Sequence, residues 1–565
     1  MAGGTEKPEW PLQGQFRRYK VKGNPCDIRI DETGFTVSSK GDGASGVVKQ
    51  EVLKASDLVG CMCMKAGPAE ARTHLAFFTI FAYPLNDKGK KRRRVTFSFE
   101  VDKEDTFEKN LEIAETWRSG VYRAIRIFGT ANPQTDKSKK LLMLINPNSG
   151  PGKAQQIYKK QVASVFGEAE TDHEVIITER ANHAREIVQS LNLAKYSGIV
   201  ILSGDGLLFE VYNGLFERPD WEQAIQYPIG MIPGGSGNGL ARSLGQWLNE
   251  PYLANPVLVS TLNVVYGHLS PLDLAIVQTA EGKRLLSFLS IGFGLISDID
   301  IESERLRSIG EARFVAWSFI RVANLRKYPA KISFKRAQRK TSNQIPKVRP
   351  PLMHSQTFEE EPEVASEALP DHLPRSQSVV QEGQLSECTL DLSPSLIKVE
   401  TLYTEDGSGQ ECGDGGQQNH KRGVESENES NRDNHALTDD CLIPDLNEPV
   451  PEDWETIEDN FIMVHATYQS HIATDAFIAP EATPNDGIMW IMMIRGSTPK
   501  SSIAKLLLGL DGTHVNVPGI EMIPVVALRI VPASSNGYLN VDGEVIPWGP
   551  VQAHILPRRG NIMTR

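Results

Sequence analysis

Three glycine-rich segments contain the residue types that could bind a phosphate group. The first runs from Asn146 to Lys153 with the sequence Asn-Pro-Asn-Ser-Gly-Pro-Gly-Lys, and it lies between an apolar run and a helical pattern. Its glycines have no Cβ, so the backbone can approach a phosphate closely, and the following helix has N–H groups without intrahelical partners at its N-terminus. Because no Ser or Thr follows Lys153, the segment is not a Walker A loop. It predicts a phosphate-binding turn of a different kind.

The second and third segments add a carboxylate to this chemistry. The sequence Ser-Gly-Asp-Gly from Ser203 to Gly206 and the glycine-rich sequence from Pro233 to Leu240 each follow an apolar run. Transfer of a phosphate to a hydroxyl group requires a base that accepts the hydroxyl proton, and Asp205 is a carboxylate between two glycines at a strand end. We therefore predict that Asp205 is the general base. The alternatives are that it only caps the next helix or helps to hold Mg²⁺.

Alternating strands and helices are expected to position these segments. Between residues 139 and 267, apolar runs typical of buried strands alternate with helical periodicity in the order βαβαβ. That order predicts a parallel sheet, in which ligands bind at the carboxyl ends of the strands. A single glycine-rich turn is often purely structural, but three of them at strand ends of one sheet are expected to meet in one crevice.

Strand patterns dominate the chain on either side of this region. Residues 1–135 combine strand-like runs with one helical stretch from Asp105 to about Ile127, which resembles a pleckstrin-homology-like module. Residues 136–268 form the predicted α/β lobe, and residues 269–565 predict a mostly antiparallel β-sandwich. Within the latter, residues 338–456 contain few aromatic residues and many polar ones, so we predict a disordered acidic insert there.

The net charge of −11 hides an uneven distribution. Between Thr357 and Asp459 there are 27 acidic and 5 basic residues, a net charge of −22, so the remainder of the chain carries +11. A basic body suits a polyphosphate substrate and an anionic membrane surface, although ordinary surface charge explains it equally well. The basic run from Lys90 to Arg94 is a candidate for contact with lipid headgroups, and the alternative is a solvated β-hairpin turn.

The motifs together resemble a known catalytic fold. Asn-Pro-x-Ser-Gly, Gly-Asp-Gly and Pro-Gly-Gly-Ser-Gly-Asn form the motif set of the diacylglycerol kinase superfamily, which also contains ceramide kinases and sphingosine kinases. Finer matches favour the sphingosine kinases, and they lie at Thr178–Glu186, in the loop from Ser203, at Asp298–Glu304 and at Val541–Glu544. The resemblance covers about residues 138–335 and 460–557.

The resemblance implies both a fold and a reaction. The implied lipid-kinase fold has a Rossmann-like α/β N-terminal lobe that binds the nucleotide and an antiparallel β-sandwich C-terminal lobe that binds the lipid. The implied reaction transfers the γ-phosphate of ATP, with Mg²⁺, to the primary hydroxyl of sphingosine or dihydrosphingosine. Three alternatives are a ceramide or diacylglycerol kinase of the same fold, a lipid-binding scaffold without activity, and a nicotinamide-dinucleotide kinase, which gives no reason for the lipid-type second half.

The same resemblance implies most of the site residues. The residues implied for ATP are Asn146, Pro147, Asn148, Thr178, Glu179, Arg180, Ala181, Asn182, Glu210, Ser236, Gly237, Asn238, Arg307, Arg313, Asp542 and Gly543. The residues implied for the lipid substrate are Ser203, Gly204, Asp205, Gly206 and Asp300. The metal ligands are left unassigned.

Asp300 is the residue predicted to select the lipid. A sphingoid base carries a protonated amine next to the reacting hydroxyl, whereas diacylglycerol has no amine and ceramide has a neutral amide. A carboxylate inside a mostly apolar pocket would pair with that cation through a charge-assisted hydrogen bond. The alternative role is an N-cap for a helix that starts near Ile301, and both roles could hold at once.

The segment from Phe314 to Tyr328 predicts a basic amphipathic helix. Sphingosine kinases have a similar segment, which is linked to membrane contact and to calmodulin-type partners; the alternative is a helix packed on the core with solvated arginines. The chain has no apolar run long enough to cross a bilayer and no secretory signal pattern at its start. We therefore expect a cytoplasmic enzyme that is recruited to membranes, without a nucleic-acid partner.

Overall fold

The computed structural model describes residues 10–21, 24–40, 48–65, 72–86, 88–128, 139–303, 305–306, 312–338 and 443–565. The predicted acidic insert therefore lies largely outside the described residues.

Alternating apolar residues in the N-terminal region form an antiparallel sheet closed by one helix. Within the described residues the strands are β1 (Leu12–Arg18), β2 (Cys26–Asp31), β3 (Gly34–Lys40), β4 (Val48–Lys54), β5 (Leu58–Lys65), β6 (Ala76–Ala82) and β7 (Val95–Val101), in the order β4-β3-β2-β1-β7-β6-β5. Helix α1 (Phe107–Phe128) packs on β5 and β6. Its Trp117 ring stacks on Phe78, and Phe16 meets both rings edge-on. This N-terminal module confirms the predicted β-rich extension.

The α/β lobe has the predicted parallel sheet. Its strands are β8 (Lys140–Ile145), β9 (His173–Ile177), β10 (Tyr196–Ser203) and β11 (Pro228–Pro233), in the order β9-β8-β10-β11. Its helices are α2 (Ala154–Ile157), α3 (Ala163–Glu168), α4 (His183–Ser190), α5 (Asp205–Phe216), α6 (Trp221–Ala224), α7 (Gly239–Trp247) and α8 (Pro256–Tyr266), and a π-helical turn at Tyr158–Val162 joins α2 to α3. The strands are apolar almost throughout because helices cover both faces of the sheet.

The β lobe is mostly antiparallel, as predicted, and it shares a sheet with the α/β lobe. Its strands are β12 (His268–Thr279), β13 (Arg284–Ser287), β14 (Ser290–Gly294), β15 (Tyr328–Arg336), β16 (Glu455–Thr467), β17 (His471–Ala473), β18 (Ala476–Phe477), β19 (Met489–Arg495), β20 (Ile520–Pro532), β21 (Leu539–Val541), β22 (Glu544–Ile546) and β23 (Val551–Thr564). Its helices are α9 (Leu295–Ser303), α10 (Ala312–Ala323) and α11 (Lys500–Leu508). Strand β23 runs antiparallel to β12 and β20 and parallel to β11, so it joins the two lobes.

The C-terminal boundary predicted for the acidic insert is wrong. Residues 443–454 are described and lie against the β lobe, where Trp454 is buried. The Arg529 side chain donates a hydrogen bond of 3.0 Å to the main-chain carbonyl of Asp445. The polar composition of this stretch predicted disorder. The contact that orders it comes from an arginine far away in the sequence, which local composition does not reveal.

A buried cluster of four charges fastens the N-terminal module to the α/β lobe. Two nitrogens of Arg92 donate to the Glu250 carboxylate at 2.6 and 2.7 Å, and a third donates to Asp57 at 3.2 Å. Arg565 bridges the same carboxylates, at 2.8 Å from Asp57 and 3.4 Å from Glu250. The Arg92 side chain is only 5% exposed. Both the headgroup contact and the solvated turn that the basic run predicted are therefore wrong for Arg92.

Candidate active site

The three glycine-rich segments lie in direct contact at the carboxyl ends of β8, β10 and β11. The Ser149 hydroxyl of the first segment accepts hydrogen bonds from the Gly204 N–H at 3.0 Å and from the Ser203 hydroxyl at 3.1 Å. A Cβ at Gly235 of the third segment would lie 2.4 Å from the Gly204 Cα, so only glycine fits there. Gly150, at φ = +52°, packs against the third segment as well. The expectation that the three turns meet is thus correct.

Asp205 begins α5 and lies inside this crevice. Its carboxylate accepts hydrogen bonds from the main-chain N–H groups of Gly239 at 2.7 Å and Leu240 at 3.4 Å, which are the first residues of α7. It therefore caps α7 across the crevice. Burial raises the pKa of Asp205 to about 6, while the N–H donors oppose that shift. A carboxylate with a pKa near neutrality, fixed in direction by two donors, can accept a proton in a reaction at physiological pH.

The third segment is shaped by its own asparagine and by the β lobe. Asn238 has φ = +57°, and its amide donates to the Gly235 carbonyl at 2.7 Å and accepts from the Gly235 N–H at 3.2 Å. The Gly237 carbonyl accepts from the main-chain N–H of Thr474 at 2.9 Å and from its hydroxyl at 3.1 Å. Ser236 lies between these anchors and is half-buried. The β lobe thus holds the loop that faces Asp205.

The first segment lies beside the residues that follow β9. Asn146 accepts a hydrogen bond from the Asn148 N–H at 2.9 Å, which turns the chain around Pro147. The main-chain N–H of Thr178 donates to the Ile145 carbonyl at 2.8 Å. The two predicted parts of the nucleotide site are therefore neighbours at one edge of the sheet.

Glu210 connects α5 to the segment before α4. Its carboxylate accepts the Ala184 N–H at 3.2 Å in the first turn of α4, directly after Asn182 at φ = +63°. The predicted residues Glu179, Arg180 and Ala181 are exposed in the same turn, and Arg180 pairs with Glu186 at 2.5 Å. Glu210 and residues 178–182 are thus brought together, as the resemblance implied.

The Asp542 side chain does not face the crevice. Its buried carboxylate accepts hydrogen bonds from the Ser287 hydroxyl at 2.6 Å and from the three following main-chain N–H groups at 2.9 to 3.0 Å. Burial raises the pKa of Asp542 to about 7. This residue holds the turn between β13 and β14, and it positions the β21–β22 turn that contains Gly543. Sequence reasoning could not separate this role from nucleotide contact, because all the donors lie about 250 residues away.

Glu544 is a site residue that the sequence reasoning missed. Its carboxylate oxygen lies 2.9 Å from the position that a Cβ on Gly206 would occupy, directly beside Asp205. Gly543, one residue earlier, lies next to Asp300, since a Cβ there would be 4.0 Å from the Asp300 carboxylate. The β21–β22 turn therefore separates the Asp205 crevice from Asp300. Glu544 begins β22 and pairs with Val541 of β21, whereas Asp542 and Gly543 form the turn between these strands.

Asp300 lies within α9, which begins at Leu295, so the predicted N-cap near Ile301 is wrong. The Asn540 amide donates a hydrogen bond of 3.3 Å to its carboxylate. The carboxylate of Asp298, on the same helix, accepts hydrogen bonds from the Tyr328 hydroxyl at 2.7 and 2.8 Å. Burial raises the pKa of Asp298 to about 6. Asp298 and Asp300 therefore have different surroundings.

An apolar cluster lies under α9 beside Asp300. It is formed by α9, β16, β19, β20, α11 and the segment after β18, and its buried members are Leu295, Ile299, Ile462, Met463, Ile478, Met492, Ile494, Ile503, Leu506 and Ile520. We call this group the α9 cluster.

Helix α10 is shorter than the predicted segment 314–328, because Tyr328 already begins β15. One face of α10 packs inward against α9. There the Glu302 carboxylate of α9 accepts hydrogen bonds from the Trp317 indole at 2.9 Å and from Arg321. Arg313 is buried in the first turn, and Arg307 lies outside the described residues. The arginine contacts predicted for a triphosphate thus stay a prediction.

The chain resembles characterised families in sequence. Residues 140–275 match the family described as diacylglycerol kinase catalytic domain, and residues 453–564 match the YegS C-terminal NAD kinase beta sandwich-like domain. Human sphingosine kinase 2 is 30% identical over 98% of this chain and 91% of its own length. Human sphingosine kinase 1 is 32% identical over 74% and 89%, and the yeast (Saccharomyces cerevisiae) sphingoid long chain base kinase 5 is 29% identical over 75% and 59%.

Proposed function

Because the chain belongs to the sphingosine kinase family, we propose that it transfers the γ-phosphate of ATP to the primary hydroxyl of a sphingoid base. The observation that carries the proposal is the position of Asp205, where the three glycine-rich segments meet and where the β21–β22 turn separates it from Asp300. A triphosphate on the glycine-rich side and a lipid alcohol on the Asp300 side would meet at one carboxylate.

In this mechanism the chain's own residues position the reactants and move one proton. The glycine-rich segments and the predicted ATP residues hold the triphosphate through main-chain N–H groups. Asp205 accepts the proton of the lipid hydroxyl as the oxygen attacks phosphorus. Because burial raises the pKa of Asp205 to about 6, the carboxylate is ionised at neutral pH and its affinity for the proton is higher than that of an exposed aspartate.

Magnesium fits the residues that are present. Among the described residues, no three His, Cys, Asp or Glu side chains form a preformed cation site. Mg²⁺ that arrives with ATP usually takes one or two protein carboxylates together with phosphate oxygens and water. Glu544, beside Gly206, would supply such a carboxylate. When bound, the ion neutralises charge on the transferred phosphate.

A comparison of four lipids tests the function. We expect the purified protein, with radiolabelled ATP and Mg²⁺, to phosphorylate sphingosine and dihydrosphingosine at least about tenfold faster than ceramide or diacylglycerol, because a charge-assisted hydrogen bond contributes about 1.5–3 kcal/mol. Diacylglycerol or ceramide turnover at the rate of sphingosine would favour the alternative lipid kinases. A folded protein without turnover of any lipid would support the scaffold alternative.

An exposed apolar patch supports contact with a membrane. Phe319 and Ile320 of α10 are 61% and 48% exposed, and Leu508 of the neighbouring α11 is 74% exposed. The helices that carry these side chains, α10 and α11, pack on the α9 cluster with their inner faces. A bilayer surface at the apolar patch would therefore lie close to the proposed lipid site. Within the described residues, no helix has the length and apolarity needed to cross a membrane. We therefore propose peripheral contact through this apolar patch.

A calmodulin-type partner is the second candidate for residues 314–328. Such a partner wraps an amphipathic helix, which would require α10 to leave Glu302 and expose Trp317 and Arg321. Contact with a membrane requires no such rearrangement. The exposed residues therefore favour the membrane.

Polar substitutions in the apolar patch separate membrane binding from catalysis. We expect the double variant Phe319→Ser with Ile320→Ser to bind lipid vesicles about tenfold more weakly, because two side chains lose burial in the bilayer. Activity on sphingosine dispersed in detergent should stay within about twofold. The control is Leu253→Ser, which removes an apolar side chain that is 67% exposed on the α/β lobe. Equal loss of vesicle binding in the control would contradict the assignment.

A further inference from the structure

His465 of β16 is a buried polar residue without a hydrogen-bond partner among the described residues. Its side chain is 2% exposed, and within that part of the chain nothing bonds to either ring nitrogen. Burial lowers the pKa of His465 to about 4, so the ring is neutral at physiological pH, with one nitrogen as donor and the other as acceptor. A buried polar group without partners costs about 1–3 kcal/mol, so its presence calls for an explanation.

Strand pairing places His465 on the face of the sheet that carries the substrate site. It is directly opposite Gly292 on β14 and Met492 on β19, and Gly292 is in turn opposite Asn540 on β21. Directly opposed residues share a face, so these four lie in one row across the sheet. Gly292 leaves space in that row, which the Asn540 amide fills together with the Ser297 hydroxyl.

This row links the carboxylate of Asp300 to the α9 cluster. At one end, the Asn540 amide donates to the Asp300 carboxylate at 3.3 Å. At the other end, Met492 belongs to the α9 cluster, as does Met463, which lies on the same face two residues before His465. The Cα atoms of His465 and Asn540 are two strand spacings apart, about 10 Å. His465 therefore marks the border between the charged end and the apolar part of the site.

The next residue on this face has its hydrogen bonds satisfied. The Thr467 hydroxyl donates to a main-chain carbonyl of Leu289 or Gln469, at 3.1 or 2.9 Å, and accepts from the Gln469 N–H at 3.2 Å. Thr467 is thus explained by the fold alone. His465 has no such partner among the described residues, and it lies in the row that ends at Asp300.

We propose that His465 forms a hydrogen bond with a hydroxyl group of the sphingoid base on the tail side of its amine. This inference rests on the proposed function. With the amine at Asp300 and the primary hydroxyl toward Asp205, the carbons from C3 onward follow the row toward the α9 cluster. A neutral imidazole can donate to or accept from the hydroxyl on C3, or a further one on C4 where the base has it. His465 is then a specificity-determining residue.

The test compares three bases with two histidine variants. The bases are dihydrosphingosine, the same base without its 3-hydroxyl, and the same base with an additional 4-hydroxyl. We expect His465→Leu to lower the preference, measured as a ratio of kcat/KM values, for the hydroxylated base over its less hydroxylated analogue by about 3–10-fold, the effect of one hydrogen bond. His465→Asn, which keeps a donor and an acceptor, should restore part of the preference.

His554→Leu is the matched control. His554 of β23 is also buried, its ring nitrogens also lack partners within the described part of the chain, and its pKa is also lowered to about 4. It lies opposite Ile276 of β12 and Ala527 of β20, away from the row. This variant should change kcat/KM by one common factor for all three bases.

The outcomes show which hydroxyl of the base His465 binds. They also separate failure of this inference from failure of the proposed function. A reduced preference between the first two bases assigns the C3 hydroxyl, and one confined to the third base assigns the C4 hydroxyl. The inference would be overturned if His465→Leu changed kcat/KM by one common factor for all three bases, provided that the thermal unfolding midpoint of the variant matches or exceeds that of the wild type. If the wild type phosphorylates none of the three, the proposed function fails rather than this inference.

Discussion

Replacement of Asp205 by asparagine is expected to lower kcat by about 10²–10⁴-fold, the typical contribution of a general base. Asparagine has nearly the same size and retains an oxygen that can accept the Gly239 N–H, so α7 keeps its cap. It has no basic oxygen to take the hydroxyl proton. Binding of ATP, measured by calorimetry, should stay within about twofold, because the glycine-rich segments are unchanged.

The pH profile provides a second measurement for the same residue. The base acts in its ionised form, and burial raises the pKa of Asp205 to about 6. The wild-type kcat/KM should therefore fall as the pH decreases through about 6, as Asp205 takes up a proton, and the residual activity of Asp205→Asn should lack this step. Asp220→Asn, which changes an exposed carboxylate shortly after α5, is the control and should retain activity. Loss of cooperative unfolding in Asp205→Asn would mean a structural role instead.

Replacement of Asp300 by asparagine is expected to raise the KM for sphingosine by about 10–100-fold with little change in the KM for ATP. The change removes the negative charge that would pair with the amine, and a hydrogen bond to a charged group contributes about 1.5–3 kcal/mol. The Asn540 contact can persist, because asparagine also has an acceptor oxygen. Steady-state kinetics with each substrate varied in turn measure both constants.

Two controls make the Asp300 experiment specific. Asp298→Asn changes a neighbouring carboxylate of α9, which is held by Tyr328, so we expect it to affect thermal stability more than lipid selectivity. An N-acetylated base, which has no cation, should be a poor substrate for the wild type and for Asp300→Asn alike. Equal increases of KM for sphingosine and ATP would contradict the role in amine binding.

The crevice between the three glycine-rich segments was largely predictable from sequence because its parts follow strand ends. In a parallel sheet all carboxyl ends lie at one edge, so segments that follow β8, β10 and β11 must be neighbours once the strand pattern is known. Their glycines then indicate where backbones approach closely, as at Gly235. The position of Asp205 followed from the same local pattern, whereas Glu210 was implied by the resemblance to sphingosine kinases.

Contacts between distant parts of the chain were not predictable. The donors to Asp542 and the row that contains His465 depend on strand pairing in the β lobe, which local periodicity does not specify. The start of α9 at Leu295 has no capping side chain before it, so the sequence left an N-cap role for Asp300 open as the alternative to amine binding. Arg92 was interpreted as a surface charge, since its partner Glu250 lies 158 residues away.

The four-charge cluster around Arg92 has a consequence for how the enzyme would approach a bilayer. Movement of the module away from the lobe would break the ion pairs of Arg92 with Glu250 and of Arg565 with Asp57, and their low exposure limits screening by salt. The N-terminal module therefore cannot act as a tethered anchor that tumbles independently of the catalytic lobes. Any surface of that module that adheres to a membrane would also set the angle at which the apolar patch of α10 and α11 faces the bilayer, so membrane binding would itself orient the catalytic lobes.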